Sequence, residues 1–310
     1  MGPVTFPRFS EPLSAATLRW VEECLGPGSE VKMVRPLVGG LSHINHALLA
    51  ESRSGTVHRL VLRRWASAAW PDIDIEFSPE REIAALTLLA GCEIPTPSLV
   101  AADPSGAHCE APTLLITRLL GHPPRPGNEE LPEYLIQLAA GLLSVHAVGG
   151  ASTMPPYRPY NHLDVRLAPL NARHPVLWER AFDVAAGPCP GATPHFIHRD
   201  YLPDNTLWAY GRLTGIVDWS GASHGPAAVD VAHMRWNLAL RYGVEVADQF
   251  LGAFDQVCGG YRHNPYWDLR TVLDLLPEQP GRPISPAEIP PLEDFLEQAL
   301  IELGAPAARF

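Results

Sequence analysis

A proline- and glycine-rich stretch at residues 121–130, GHPPRPGNEE, divides the chain into two parts with different hydrophobic patterns. Such a composition continues neither a helix nor a strand. Before the stretch, short apolar runs between turn residues indicate strands, whereas after it apolar residues recur every three to four positions, as in helices. The sequence therefore predicts an α+β fold, with an antiparallel sheet and a helix in residues 1–120 and mainly helices in residues 121–310.

The first part contains two helical segments with clear ends and five strand-like runs. Ser14 can cap the first helix, and Gly26 and Gly91 can end the two helices. Glycine or polar turn residues separate the first three strand-like runs, which predicts an antiparallel meander. The predicted helices are 15–26 and 79–90, and the predicted strands are 31–38, 44–52, 57–65, 97–103 and 111–119.

The second part is helical apart from residues 194–218. That segment indicates a loop, a short strand from Thr206, a turn at Tyr210 and Gly211, and a second short strand that ends at Asp218. Amphipathic segments predict helices at 130–148, 170–187, 227–243 and 244–259, with two more near the C-terminus.

Composition excludes several functional classes. The net charge of −11 argues against a nucleic-acid partner, which needs a clustered positive surface. The N-terminus lacks a basic start followed by an apolar run, so we expect no signal peptide, and no stretch is long and apolar enough to cross a bilayer. The five cysteines lie far apart and form no CxxC pair, which favours reduced thiols in a cytoplasmic protein.

The segment from His198 to Asn205, HRDYLPDN, fits a catalytic-loop pattern in which His-Arg-Asp is followed by Asn five positions after the Asp. Phosphoryl transfer needs a carboxylate that orients the attacking hydroxyl and accepts its proton, which is the role predicted for Asp200. It also needs oxygen ligands for Mg²⁺, and Asn205 would supply one of them. A chance tripeptide is the alternative, but the Asn spacing and the following strand pair argue against it.

The strand pair after this loop brings a second carboxylate, Asp218, to a strand terminus. Asp218 is the second predicted Mg²⁺ ligand, the counterpart of the metal-binding Asp of kinases, with Asp-Trp in place of Asp-Phe-Gly. The chain then runs into a helix through GPAAVD, which leaves no room for the activation segment of a protein kinase. A small-molecule acceptor is therefore favoured over a protein.

The sequence HRDYLPDNTLW, followed by GRLTGIVDWSGASHGPAAVDVAH, resembles the motif of the aminoglycoside phosphotransferase and choline kinase-like family, whose usual form is HGDxHPGNxLW…GxIDWxxAxxGpxxxDLA. In the first part, PLVGGLSHINHAL, VLRRW and EREIAALTLLAGCEIPTPSLV agree less specifically, so the likeness spans most of the chain. The resemblance implies a protein-kinase-like two-lobe fold, with an N-terminal nucleotide-binding lobe (1–120) and a C-terminal catalytic and acceptor-binding lobe (121–310). It also implies Mg²⁺ and a nucleotide, ATP or GTP.

The resemblance further implies where the nucleotide binds. Gly39, Gly40 and Ser42 would form a turn over the phosphates, where paired glycines allow the backbone to approach closely. Val61 would contact the adenine. Arg63 lies on the same face of the strand by period-2 alternation and would bind the phosphates, although a solvated strand charge is the alternative.

Two further residues complete this predicted nucleotide site. Glu82 would pair with the phosphate-binding cation, with Glu80 on a different helix face as the alternative. Thr117 would lie in the connection between the lobes, whose backbone would read the adenine edge. Kinases often use lysine as that cation, but the only lysine of this chain, Lys32, precedes the glycine turn. Arginine must therefore serve, and its planar fork can hold phosphate oxygens bidentately.

The loop departs from the family pattern at Arg199 and Asp204, where the family usually has glycine. Arg199 restores the protein-kinase form of the loop, while Asp204 either adds an acidic group near the metal or the acceptor or faces solvent. His198 is expected to bond backbone groups, and Asp230 is implied to anchor the loop by accepting backbone N–H bonds. The candidate acceptor contacts are Asp204, Trp219, Tyr266, Trp267 and Asp268, although aromatic residues at helical spacing are more often core.

The expected activity is O-phosphorylation of a small alcohol. The motifs are more similar to those of resistance kinases than to the choline or homoserine branches, so an antibiotic hydroxyl is the first expectation. A metabolite kinase for choline, homoserine or a sugar is the alternative acceptor class, and a non-catalytic nucleotide-binding regulator is the alternative function. The complete set of Asp200, Asn205 and Asp218 argues against the regulator, and the acidic charge is compatible with a cationic acceptor.

Overall fold

The computed structural model describes residues 12–37, 43–65, 78–276 and 284–304. Their contacts divide them into two compact units. The first unit comprises the described residues up to Gly121 together with Thr214–Gly221, and the second comprises all other described residues. The predicted division between residues 120 and 121 did not include Thr214–Gly221 in the first unit, although this short segment belongs to it.

Hydrogen bonds to Pro95 and Leu120 help to attach Thr214–Gly221 to the rest of the first unit. The amide of Ile216 donates to the carbonyl of Pro95 at 2.7 Å, and the hydroxyl of Thr214 donates to the carbonyl of Leu120 at 2.6 Å. Both partners are distant in the sequence, so local periodicity, which predicted the strand itself, could not specify them.

Among its described residues, the first unit contains α1 (Ala15–Leu25), β1 (Glu30–Leu37), β2 (Ile44–Glu51), β3 (Val57–Arg64), α2 (Pro79–Leu89), β4 (Leu99–Asp103) and β5 (Thr113–Thr117). The strands form one antiparallel sheet with the order β1-β2-β3-β5-β4, which confirms the predicted meander. As expected, Ser14 caps α1, and its hydroxyl accepts the amide of Thr17 at 3.2 Å. Ser78 caps α2 in the same way.

Helix α1 packs on one face of this sheet. Alternation along β3 places Leu60 and Leu62 on that face, so Val61 and Arg63 project from the opposite face. Val61 and Arg63, the residues of β3 that are predicted to bind the nucleotide, therefore lie on the face away from α1. The buried cluster under α1 comprises Leu13, Trp20, Val21, Leu48, Leu60, Leu62, Cys109 and Leu115.

The second unit contains six helices and several short strands among its described residues. The helices are α3 (Leu131–His146), α4 (Pro175–Ala185), α5 (Ala227–Tyr242), α6 (Val244–Cys258), α7 (Tyr266–Leu273) and α8 (Ile289–Glu302). The strands are β6 (Pro194–Ile197), β7 (Thr206–Ala209), β8 (Arg212–Ile216, which continues into the first unit) and β9 (Ser223–Pro226).

Strands β7 and β8 form the predicted hairpin. Its turn residues Tyr210 and Gly211 have φ values of 53° and 70°, as the tightest two-residue hairpin turns require. This hairpin is confirmed in both its strands and its turn. It connects the loop that carries Asp200 with the segment that carries Asp218.

Strands β6 and β9 were not expected. They pair antiparallel, with Ile197 opposite Ser223, and each has only four residues. Gly225 in β9 lies so close to the segment that contains Tyr157 that an added Cβ would be 2.5 Å from the Cβ of Tyr157. Proline and glycine in so short a run indicate a loop, and only the remote partner makes them a sheet.

None of the helices in the described ranges is long and apolar enough to span a membrane. The five cysteines are free thiols, as expected, and of these only Cys109 is buried.

Candidate active site

The loop from His198 to Asn205 connects β6 with β7 and is held by a carboxylate of α5. Asp230 is fully buried, and it accepts the amides of His198 at 2.9 Å and Arg199 at 2.6 Å. The Nε2 atom of His146, on α3, lies 3.0 Å from the same carboxylate. This is the geometry that the predicted anchoring role of Asp230 requires.

The charge of Asp230 is kept in the folded chain by these donors. Burial alone would raise the pKa of this carboxyl, but the bond from His146 and the backbone amide of His198 outweigh burial and hold the pKa below its ordinary value. An ionised, buried carboxylate therefore fixes the backbone on which the loop is built.

Both oxygens of the Asp200 side chain have neighbours. Oδ2 accepts the side-chain amide of Asn205 at 2.8 Å, and Oδ1 lies 3.1 Å from Nε2 of His233 on α5. The side chain remains 36% exposed, so an incoming hydroxyl can reach it. A carboxylate that is oriented yet accessible is what a general base needs.

Asn205 uses its amide nitrogen twice on Asp200. Besides the carboxylate, the nitrogen donates to the Asp200 carbonyl at 2.9 Å. This orientation turns the amide oxygen away from Asp200, and an amide oxygen is a hard ligand of the kind that Mg²⁺ takes. The donor set of this residue therefore fits the predicted metal role.

His198 and Arg199 hold the first half of the loop. His198 is fully buried, and its Nδ1 accepts the amide of Asp200 at 3.3 Å, in agreement with a structural role. Arg199 has φ 71°, in the region where glycine is at ease, and its guanidinium lies 3.7 Å from the ring centre of Tyr160 and 5.4 Å from that of Tyr157. Contacts with two tyrosine rings offset the backbone strain of an arginine at a family glycine.

In the first unit, Arg63 of β3 lies between two carboxylates. Its Nε is 2.8 Å from Glu82 of α2, and its guanidinium also donates to Asp218, which follows β8. Ser220 donates to the same oxygen of Asp218 at 2.7 Å, and the amide of Trp219 bonds Glu82. The ion pair implied for Arg63 and Glu82 is thus present, and Asp218 joins it.

The electrostatics of this cluster are those of two acids that share one base. Burial raises the pKa of Glu82 to about 7, with Arg63 opposing the rise and Asp218 adding to it. Burial lowers the pKa of Arg63, but the two carboxylates outweigh it and raise that pKa above its ordinary value. Burial, aided by Arg63, lowers the pKa of His43 to about 3, so that imidazole is neutral at pH 7.

One negative charge is in excess in this cluster when both acids are ionised, and Asp218 is its most exposed member, at 23% against 2% for Glu82. A divalent cation would be attracted to that carboxylate. Mg²⁺ usually binds one or two protein ligands together with substrate phosphates, so Asp218 needs no protein cage around it. The residue fits the predicted metal role.

The remaining predicted nucleotide residues differ in their placement. Val61 is half-buried on the same face of the sheet as Arg63, and Thr117, at the end of β5, bonds through its hydroxyl and amide to Ser98 at 2.8 and 2.9 Å. Gly39, Gly40 and Ser42 lie outside the described residues. A cavity of about 410 Å³ adjoins the connection after Thr117; its lining residues are Met33, Leu48, Leu49, Arg59, Arg118, Leu119, Leu120 and Gly121.

Four of the five predicted acceptor contacts are buried. Trp219 is fully enclosed and donates to the Ile216 carbonyl, Tyr266 donates to the Ala185 carbonyl, and Trp267 is 4% exposed. Asp268 is 1% exposed; its Oδ2 lies 3.3 Å from Nε of Arg235 and 2.8 Å from Nε2 of His263. Packing accounts for the burial of these four residues, and their role as acceptor contacts stays a prediction.

The fifth predicted contact, Asp204, is 59% exposed at its side chain and pairs with Arg241 at 2.5 Å. Neither His233 nor Arg241 was predicted to lie near the loop. Both lie on α5, three and eleven positions after Asp230, which matches helical spacing. Their helical spacing from Asp230 was the sequence pattern that could have placed His233 and Arg241 beside the loop.

The chain has relatives in both family and fold. A family model described as the phosphotransferase enzyme family (APH) matches residues 34–270, more than half of the chain. No curated protein sequence matches it significantly. Several solved structures share its protein-kinase-like two-lobe fold.

Three of these structures illustrate the range of sequence identity, coverage and TM-score. A thermostable mutant of aminoglycoside phosphotransferase APH(4)-Ia, in complex with ADP and hygromycin B, is 17% identical with a TM-score of 0.63, covering 94% of this chain and 100% of that one. An aminoglycoside-3′-phosphotransferase of type VIII is 20% identical with a TM-score of 0.57, covering 83% and 96%. A macrolide 2′-phosphotransferase from Brachybacterium faecium is 17% identical with a TM-score of 0.54, covering 83% and 88%.

The family match runs from β1 to α7 and includes the loop around Asp200. This chain therefore belongs to the phosphotransferase enzyme family and is a small-molecule kinase.

Proposed function

We propose that this kinase transfers the γ-phosphoryl group of ATP or GTP to a hydroxyl group of a small molecule, with an antibiotic as the first candidate. The observation that carries the proposal is the Asp200 carboxylate. It is accessible, has a neighbour at each oxygen, and stands on a loop anchored by buried Asp230. Such a group can orient a hydroxyl and accept its proton.

Asp200 acts on the acceptor in this scheme. The proton of the acceptor hydroxyl passes to the carboxylate while the hydroxyl oxygen bonds to the γ-phosphorus, and the nucleoside diphosphate leaves with the bridging oxygen. Arg63 binds phosphate oxygens with its fork, and Glu82 holds that fork in place at 2.8 Å.

Asn205 and Asp218 are the proposed ligands of Mg²⁺, which would neutralise phosphate charge when bound. Each offers a hard oxygen, and neither requires a change of side-chain chemistry to do so.

Nucleotide binding by the first unit has two supports. Related folds were solved with ADP, AMP-PNP or ATP. The cavity of about 410 Å³ beside the connection after Thr117 has the size range of small-molecule sites. We place the base near this connection and Val61.

The antibiotic acceptor is supported by neighbours solved with hygromycin B or streptomycin. One observation favours the alternative, a metabolite kinase for a less cationic acceptor such as a sugar. Asp204 is paired with Arg241, and Asp268 with Arg235 and His263, so these two acids are neutralised.

Five free thiols support a reducing, cytoplasmic location.

The test is Mg²⁺-dependent release of ADP or GDP by the purified chain, across hydroxyl-bearing antibiotics, choline, homoserine and simple sugars. Stimulation by one compound class, with a loss of at least about 10²-fold in Asp200→Ala, is the expected result. Undiminished turnover in that variant would refute the role of Asp200. Nucleotide binding without any stimulated release would favour the non-catalytic regulator.

A further inference from the structure

One face of α5 follows the loop that carries Asp200. Asp230 bonds the backbone of the first half of the loop, and Arg241 pairs with Asp204 at the second half. Between them, His233 reaches the Asp200 side chain. The three α5 residues are three and eight positions apart, so they project from the same side of the helix.

The position of His233 is well defined by its surroundings. Its side chain is 12% exposed, and its ring meets that of Trp236 edge-to-face, with 5.2 Å between ring centres. Nε2 is 3.1 Å from Oδ1 of Asp200, although the angle departs from that of a well-aligned hydrogen bond. Contacts of this kind are often loosely aligned before substrate binds.

The Asp200 carboxylate needs two contacts to be fixed. A carboxylate rotates easily about its last side-chain bond, and the Asn205 amide restrains only Oδ2. His233 supplies the second restraint at Oδ1. With both oxygens held, the carboxylate plane is set, and so is the direction from which a hydroxyl proton can be accepted.

We infer that His233 is a positioning residue for phosphoryl transfer, acting as an Nε2–H donor to Oδ1 of Asp200. The inference rests on the catalytic role proposed for Asp200. It requires that Nε2 carries a proton. His233 touches neither the nucleotide nor the acceptor in this role, so its loss changes the turnover step and not nucleotide affinity.

The first test compares two substitutions. His233→Leu removes the donor, whereas His233→Gln keeps an N–H group at about the place of Nε2. We expect His233→Leu to lower kcat about 10–100-fold with an unchanged KM for the nucleotide, and His233→Gln to recover most of that loss. The assay uses the acceptor found in the panel, or slow hydrolysis of the nucleotide by water if no acceptor stimulates release.

The matched comparator is Arg241→Gln, which breaks the neighbouring contact between α5 and the loop but leaves the contact with Asp200. If α5 merely stiffens the loop, this variant should lower kcat as much as His233→Leu does. A positioning role requires a clearly smaller loss. Equal losses in the two variants would overturn the inference.

A second measurement, by NMR, requires no turnover and is made on protein that keeps His233. In ¹⁵N-labelled chain, the His233 ring signals, assigned by their disappearance in His233→Gln, should show a proton on Nε2. They should shift in Asp200→Ala, which removes the acceptor. An Nδ1–H tautomer, or signals indifferent to Asp200→Ala, would overturn the inference even if His233→Leu fails to fold.

The outcomes separate this inference from the proposed function. If Asp200→Ala keeps full turnover, the catalytic assignment itself fails. If Asp200→Ala is inactive but His233→Leu keeps the wild-type kcat, the assignment stands and the positioning role of His233 is refuted.

Discussion

The strongest stability prediction concerns Asp230, because its carboxylate is wholly buried and serves three donors. Asp230→Ala leaves the amides of His198 and Arg199 and the ring of His146 without their acceptor. Hydrogen bonds to a charged group contribute about 1.5–3 kcal/mol each, and breaking a buried charged network costs about 3–5 kcal/mol. We therefore expect the free energy of unfolding to fall by about 3–5 kcal/mol.

The assay is urea unfolding followed by tryptophan fluorescence. For a loss of this size the midpoint should fall by about 1 M or more. The matched control is Asp204→Ala, which removes a carboxylate from an exposed ion pair with Arg241 and should cost no more than about 1 kcal/mol. A loss below about 1 kcal/mol in Asp230→Ala, or one equal to that of the control, would refute the reasoning.

The same carboxylate fixes the sign of a pH effect. The folded-state pKa of Asp230 lies below its ordinary value, so its contribution to stability is present above the unfolded pKa, near 3.9. That contribution is lost as the pH falls through the folded-state pKa. The stability difference between wild type and Asp230→Ala should therefore be constant from neutral pH down to about pH 4 and shrink below it.

Three further changes test other parts of the structure. Arg63→Met removes the phosphate fork beside Glu82 and Asp218 and should raise the nucleotide KM about tenfold or more; an unchanged KM would contradict the assignment. The pKa of Glu82 is raised to about 7, so its contribution to stability is lost as the pH rises from about 4 to about 7. Glu82→Gln should therefore show a smaller fall in Tm between pH 5 and pH 8 than wild type does. Equal falls in the two proteins would contradict this explanation. Gly225→Ala forces a Cβ to 2.5 Å from Tyr157 and should destabilise by about 1–3 kcal/mol in thermal unfolding, and an unchanged Tm would show that β9 can shift.

The sequence predicted those parts of the fold that are specified locally. Helix α1 has its cap at Ser14, and the hairpin of β7 and β8 has its turn at Tyr210 and Gly211, so both elements carry their own signals. Strands β6 and β9 do not, because four residues with proline and glycine are too few to show a period. Only their pairing, remote in sequence, makes them strands.

The candidate site divides in the same way. Asp200, Asn205 and Asp218 could be proposed from the sequence because loop spacing and a strand end are local patterns. His233 was missed because its partner lies thirty-three positions earlier and no motif joins them. Tyr266 and Trp267 are buried, and their role as acceptor contacts stays a prediction. An aromatic side chain on a helix has the same spacing whether it lines a pocket or fills the core.

The return of Thr214–Gly221 to the first unit bears on how this protein can be dissected. A fragment that ends at Gly121 would lack the strand end that bonds Pro95 and Leu120, and Arg63 would lose Asp218 as a partner. The complementary fragment would carry that strand end without Pro95 and Leu120, its hydrogen-bond partners in the first unit. A single cut within 121–130, the most obvious break in the sequence, would therefore separate the first unit from one of its own segments.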